Sequence, residues 1–144
     1  MNIHPPIKFL DPRTTVDGSP RATVKLMHLE TLWFNTGTLC NLECKDCYIE
    51  SSPKNDRLVY LTANEISVFL DEIERDHLGT REIGFTGGEP FMNPDIVAMM
   101  TDCLERGFEV LVLTNGMRPM MKLDTQLLAL NRRFGAKLRL RVSL

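Results

Sequence analysis

Cys40, Cys44 and Cys47 lie in the stretch CNLECKDCYIE, in a chain of 144 residues with one other cysteine, Cys103. Three thiols packed this closely read as metal ligands rather than disulfide partners, since disulfides belong to exported proteins and the start MNIHPPIKFLDP has prolines where a signal peptide carries its apolar core. Thiolates select zinc or iron-sulfur clusters. Three of them fall one short of the four ligands that close a structural zinc site, so a fourth comes from elsewhere or the site stays open. Cys103 is a poor fourth. It lies about ten residues into a helix, roughly 15 Å below the loop at ~1.5 Å per residue, in an apolar stripe with Ile96, Met100 and Leu104, the setting of an inert core thiol. His28 and His77 are no better, because His77 continues the apolar face of another helix at its far end. In a cubane cluster three cysteines hold three irons, and the fourth iron takes a non-protein ligand. The triplet by itself therefore leaves an open iron-sulfur site and a zinc site both standing.

The elements that would carry this loop alternate. TLWFNTG (31–37) is a strand ending at a glycine, followed by the cysteine loop and a polar stretch. LTANEISVFLDEIERDHL follows as a helix, with Thr62 and Glu65 as a capping box and Ile66, Phe69, Leu70 and Ile73 at helical spacing. REIGFT (81–86) is a second strand, running into Gly87 and Gly88, and 93–107 is a helix with a proline in its first turn and a closing glycine. FEVLVLTNG (108–116) is the strongest strand, 123–136 a helix with Asp124 as N-cap, and KLRLRVSL (137–144) alternates as a fourth strand. Strands separated by helices of this length form parallel βαβ units, so the fold class is α/β. In such sheets ligands bind on the rim formed by the strand C-termini. The four strand ends deliver the cysteine loop, TGGEP, TNG and Ser143 to that rim.

Residues 1–30, rich in proline and turn formers, read as an N-terminal extension, an arm or an extra edge strand before the domain proper at 31–144. The net charge of -2 and a quarter of charged residues describe a soluble domain or part of one. No apolar run approaches the ~18 residues of a membrane span, and the one basic stretch, RRFGAKLRLR, is offset by acids elsewhere. Neither a membrane nor a nucleic acid is expected as partner, and the expected location is the cytoplasm.

The ordered set Cys40, Cys44, Cys47 and Tyr48, then TGGEP, TNG and VSL, resembles the radical S-adenosylmethionine (radical SAM) superfamily over roughly residues 31–144. The resemblance implies parallel βα repeats forming the first part of an incomplete (βα)6 TIM-like barrel, about four of the six units. It implies a 4Fe-4S cluster on Cys40, Cys44 and Cys47 whose open iron chelates S-adenosylmethionine. Electron transfer then cleaves the sulfonium to methionine and a 5'-deoxyadenosyl radical, which abstracts hydrogen from a substrate that the sequence does not name. An electron donor such as flavodoxin or ferredoxin is implied as partner.

By the same resemblance Gly87, Gly88 and Glu89 meet the ammonium of the cofactor, Thr114 and Asn115 reach its methionine or ribose or else form a plain Asn-Gly turn, Ser143 sits beside it, and Tyr48 lies by the adenine or packs on the loop. The position before the third cysteine, often aromatic in the superfamily, is Asp46 here. Ser143 shares a strand face with Arg139 and Arg141, which either line the lumen and meet an anionic ligand group or form a solvated edge. The chain is expected to be the front part of a longer protein. The alternative to the enzyme is a non-catalytic zinc- or iron-sulfur-binding module.

Overall fold

β1 (Thr31–Asn35), β2 (Glu82–Thr86), β3 (Glu109–Thr114) and β4 (Leu138–Val142) pair in parallel in the order β1-β2-β3-β4. A computed structural model describes residues 11–143. Consecutive strands never reverse the spatial order, so each crossover continues the winding of the one before. α1 (Ala63–Arg75), α2 (Ile96–Glu105) and α4 (Asp124–Phe134) then pack together on one face of the sheet. That is the geometry of an arc of barrel wall, with helices outside and a lumen face inside.

The register assigns side chains to the two faces. Leu32, Ile83, Val110 and Leu138 form one row across the sheet, and Phe34, Phe85, Val112 and Leu140 another. Most of these meet Ile66, Leu70 and Ile73 of α1 and Ile96, Met100, Cys103 and Leu104 of α2 in the core. The apolar stripes read from the sequence are the buried ones, with Met99 added and two exceptions. Phe69 is half exposed and rests its ring on Phe34 at 5.8 Å. His77 does not extend the face of α1: the helix ends at Arg75, and His77 lies beyond the C-cap with φ 50°, exposed.

Several local expectations shift by a residue or more. The capping box of Thr62 and Glu65 forms. Asp124 is the first residue of α4 rather than its N-cap, which is Leu123. Pro94 precedes α2, whose N-cap is Asp95; instead of capping its own helix, Asp95 accepts the Ala63 N–H of α1 at 3.0 Å. The short helix α3 (Arg118–Met121) has no counterpart in the sequence reading. Of the extension, residues 1–10 lie outside the described residues; residues 11–30 contribute no strand to the sheet, and Thr14 and Pro20 pair with each other in a bridge.

One polar residue ties these elements at the rim. Asn93, 2% exposed, donates its amide to Thr36 O at 3.1 Å and Leu61 O at 2.8 Å and accepts the Asp95 N–H at 2.8 Å. It thereby joins the end of β1 to the entrances of both α1 and α2. Replacing Asn93 by Leu leaves these groups unpaired where water is excluded, at about 1–3 kcal/mol per group. Asn93→Leu should lower unfolding stability by about 3 kcal/mol in urea titration; a loss under ~1 kcal/mol would show that the three segments hold without it.

Candidate functional site

At the C-terminal end of the sheet the chain leaves β1 through Thr36, Gly37 and Thr38, all buried, and enters the cysteine loop. The loop is held by main-chain bonds: Cys40 N–H to Ser52 O at 3.1 Å, Cys47 N–H to Cys44 O at 3.2 Å, and Glu50 N–H to Cys47 O at 3.0 Å. Cys40 is buried, Cys47 half buried and Cys44 exposed, and all four cysteines of the chain are free. Burial pushes the Cys40 thiol up, whereas the Ser51 main-chain N–H, 3.3 Å from Cys47 Sγ, pulls the Cys47 thiol down. Cys103 is fully buried in α2, and burial pushes its pKa up to about 12, as an inert core thiol requires.

The TGGEP segment lies main chain to main chain on this exit. Gly88 N–H donates to Gly37 O at 2.9 Å and Glu89 N–H to Leu39 O at 3.0 Å. A Cβ on Gly88 would stand 2.2 Å from Leu39 O, and one on Gly87, whose φ is +133°, 2.7 Å from Gly37 O. Both glycines are required by this contact between two backbones.

Glu89 lies behind the cavity wall rather than in it. It is 1% exposed and does not border the cavity; its carboxylate accepts the Thr114 hydroxyl at 2.8 Å, the Asn115 N–H at 2.9 Å and the Phe91 N–H at 3.2 Å. The residue clamps the end of β3 to the segment after β2. Asn115 continues the chain of contacts: its Oδ1 accepts the Met117 N–H at 3.0 Å, and its Nδ2 faces Asn41 Oδ1 at 3.0 Å and Cys40 Sγ at 3.9 Å.

These segments enclose a cavity of about 220 Å³ bordered by Cys40, Cys44, Cys47, Gly87, Gly88, Thr114, Asn115 and Ser143. Eight of the ten residues singled out in the sequence thus meet in one concavity. Tyr48 is the other exception beside Glu89: the turn over Cys47 to Glu50 carries it outward, and it is 80% exposed. Ser143, exposed, is held by its N–H on Thr114 O at 2.9 Å. Among the described residues no three His, Cys, Asp or Glu side chains converge on a single ion; a cubane spreads its cysteines over three irons instead.

A family model described as the radical SAM superfamily matches residues 34–143. The chain belongs to the radical SAM superfamily. Among curated radical SAM relatives, a GTP 3',8-cyclase of Rhodococcus opacus is 42% identical over 79 residues, covering 53% of this chain and 22% of the relative. An AdoMet-dependent heme synthase of Nitratidesulfovibrio vulgaris is 32% identical over 105 residues, covering 73% of this chain and 26% of the relative. The chain thus spans about a quarter of the length of the relatives it matches. A solved structure of SuiB from Streptococcus suis bound to S-adenosylmethionine superposes with a TM-score of 0.65 at 19% identity, over 82% of this chain and 25% of that one. That likeness supports the fold: the parallel sheet with alternating helices expected from the sequence is the observed one, and an incomplete barrel is consistent with it.

The expected lumen pair divides. Arg139 lies on the lumen face but toward the N-terminal ends of the strands, where its guanidinium bonds Glu82 and lies 3.1 Å from Glu109. Its charge is spent on two carboxylates, which the sequence pattern of one strand had no means to show. Arg141 stands one row nearer the rim and has no ion-pair partner among the described residues. Sequence reading also missed Leu42, Ser51, Thr86 and Leu113 in the cavity wall. Thr86 and Leu113 were legible as the last lumen-facing positions of their strands; Ser51 carried no signal.

The backbone contact is open to test by two alanines. Gly88→Ala collides with main chain, which cannot yield, whereas Gly84→Ala meets the half-exposed Trp33 ring, which can turn aside. Gly88→Ala should cost about 2–3 kcal/mol more than Gly84→Ala in urea titration and abolish hydrogen-exchange protection of the Cys40 amide; equal costs would remove the contact from its place in the site. Iodoacetamide at pH 8 should label Cys44 and leave Cys103 unmodified until the chain unfolds, as read by peptide mass spectrometry.

Proposed function

We propose that this chain is the cofactor-binding part of a radical SAM enzyme, with a 4Fe-4S cluster on Cys40, Cys44 and Cys47 and S-adenosylmethionine on the iron that no cysteine holds. One observation supports this above all: three cysteines from one loop border the same cavity as Gly87, Gly88, Thr114 and Ser143, delivered by three other strand ends. The donor set fits an open cluster, being three sulfurs in a wall whose other side chains are uncharged. When bound, the pair would supply reductive cleavage of the sulfonium to methionine and a 5'-deoxyadenosyl radical for hydrogen abstraction from a substrate.

The work left to this chain is binding, orientation and exclusion of water. Gly87 and Gly88 border the cavity, and the positions a Cβ would take face the Gly37–Leu39 backbone. Thr114 is held rather than free: its hydroxyl donates to Glu89 and accepts the Gly116 N–H at 3.0 Å. Ser143, exposed, borders the cavity. In this reading the active protein is longer than residues 31–144, works in the cytoplasm and takes its electron from a donor such as flavodoxin or ferredoxin. Among the described residues no helix is long and apolar enough to cross a membrane.

Anaerobic reconstitution of the whole protein with iron and sulfide should give a brown centre with about four irons per chain, EPR-active after reduction and changed by S-adenosylmethionine. Alanine at any of Cys40, Cys44 or Cys47 should abolish it, whereas Cys103→Ala should keep it. Colourless protein retaining one zinc per chain would overturn the reading in favour of a binding module.

A further inference from the structure

Two polar side chains in the cavity wall bear on the cysteines themselves. Ser51 is 4% exposed and borders the cavity; its main-chain N–H donates to Cys47 Sγ at 3.3 Å, while its hydroxyl, buried, finds no hydrogen-bond partner among the described residues. A buried hydroxyl without a partner costs stability unless something in the cavity accepts from it. On the opposite wall Asn115 turns its Nδ2 toward Cys40 Sγ at 3.9 Å.

The orientation of that amide is fixed by its neighbours. Oδ1 must face the Met117 N–H, which can only donate, so the NH2 group faces Asn41 Oδ1 and the sulfur. One hydrogen of Nδ2 goes to Asn41, and the other points at Cys40. The main chain of Asn115 is held in place by its N–H on the buried Glu89 carboxylate at 2.9 Å.

We infer that Ser51 and Asn115 are tuning residues, hydrogen-bond donors to the cluster from the Cys47 and Cys40 sides that raise its reduction potential. The inference rests on the proposed cluster. Reduction by one electron adds negative charge to the cluster and its thiolates, and a donor aimed at sulfur stabilises that added charge more than it stabilises the oxidised form. Removing either donor makes reduction harder without removing a ligand.

The test is an EPR-monitored redox titration with dithionite on the reconstituted whole protein, without S-adenosylmethionine. Ser51→Ala and Asn115→Leu should each keep wild-type iron content and shift the midpoint downward. Each change should be several-fold in the reduction equilibrium, tenfold being about 59 mV for one electron. Ser51→Thr, which retains the hydroxyl, should restore the wild-type value. The double variant should show the sum, because the two donors act on different cysteines. A midpoint unchanged from wild type in either single variant at full iron content overturns the inference. A wild-type protein that assembles no cluster overturns the underlying reading instead.

Discussion

The site depends on two backbones that touch with nothing between them. Where Gly87 and Gly88 lie on Gly37 to Leu39, the distances leave no room for a single Cβ. The contact is closed by two main-chain hydrogen bonds in sequence, Gly88 to Gly37 and Glu89 to Leu39. In effect the pairing of β1 with β2 is carried past the sheet's edge into the loops, so the cysteine loop leaves from a fixed platform rather than a free strand end. Cys40 follows Leu39 directly, and its position is set by this contact.

Glu89 extends the platform to the third strand. A carboxylate removed from water is tolerated only when donors replace its hydration, and here a hydroxyl and two main-chain N–H groups do so. Two of the three come from the end of β3, so satisfying the carboxylate and positioning Asn115 are one event. From Asn115 the contacts return to Asn41 and Cys40. The loops after β1, β2 and β3 thus form a closed circuit around the cavity, and each is held by the other two.

The repetitive parts of this arrangement were legible in the sequence. Apolar residues at helical spacing placed α1 and α2 against the sheet, and alternation placed Arg139 and Arg141 on one face of β4, because periodicity records which side of an element meets the core. The cysteines and glycines were legible because few residue types can do what they do. The bonds of Glu89 to the end of β3 were not legible, because a carboxylate after two glycines fits a ligand's ammonium or a neighbouring loop equally well. The exposure of Tyr48 was not legible because the turn after Cys47 depends on which main-chain bonds close there. Ser51 and Asn93 were missed altogether, since a lone polar residue in a loop gives no pattern even when it is buried.

The lumen face is divided along the strands by charge. Toward the N-terminal ends Glu82, Glu109 and Arg139 gather in contact, with Arg81 3.7 Å from Glu109 at the same edge. At the C-terminal ends the cavity is bordered by cysteines, glycines, Leu42, Leu113, hydroxyls and one amide, with no carboxylate, lysine or arginine of the described residues in its wall. Ions paired at the far end are already neutralised and impose little field on the rim. A wall of donors without fixed charge is suited to a group that brings its own charges, because main-chain and hydroxyl groups solvate either sign and a fixed ion favours only one.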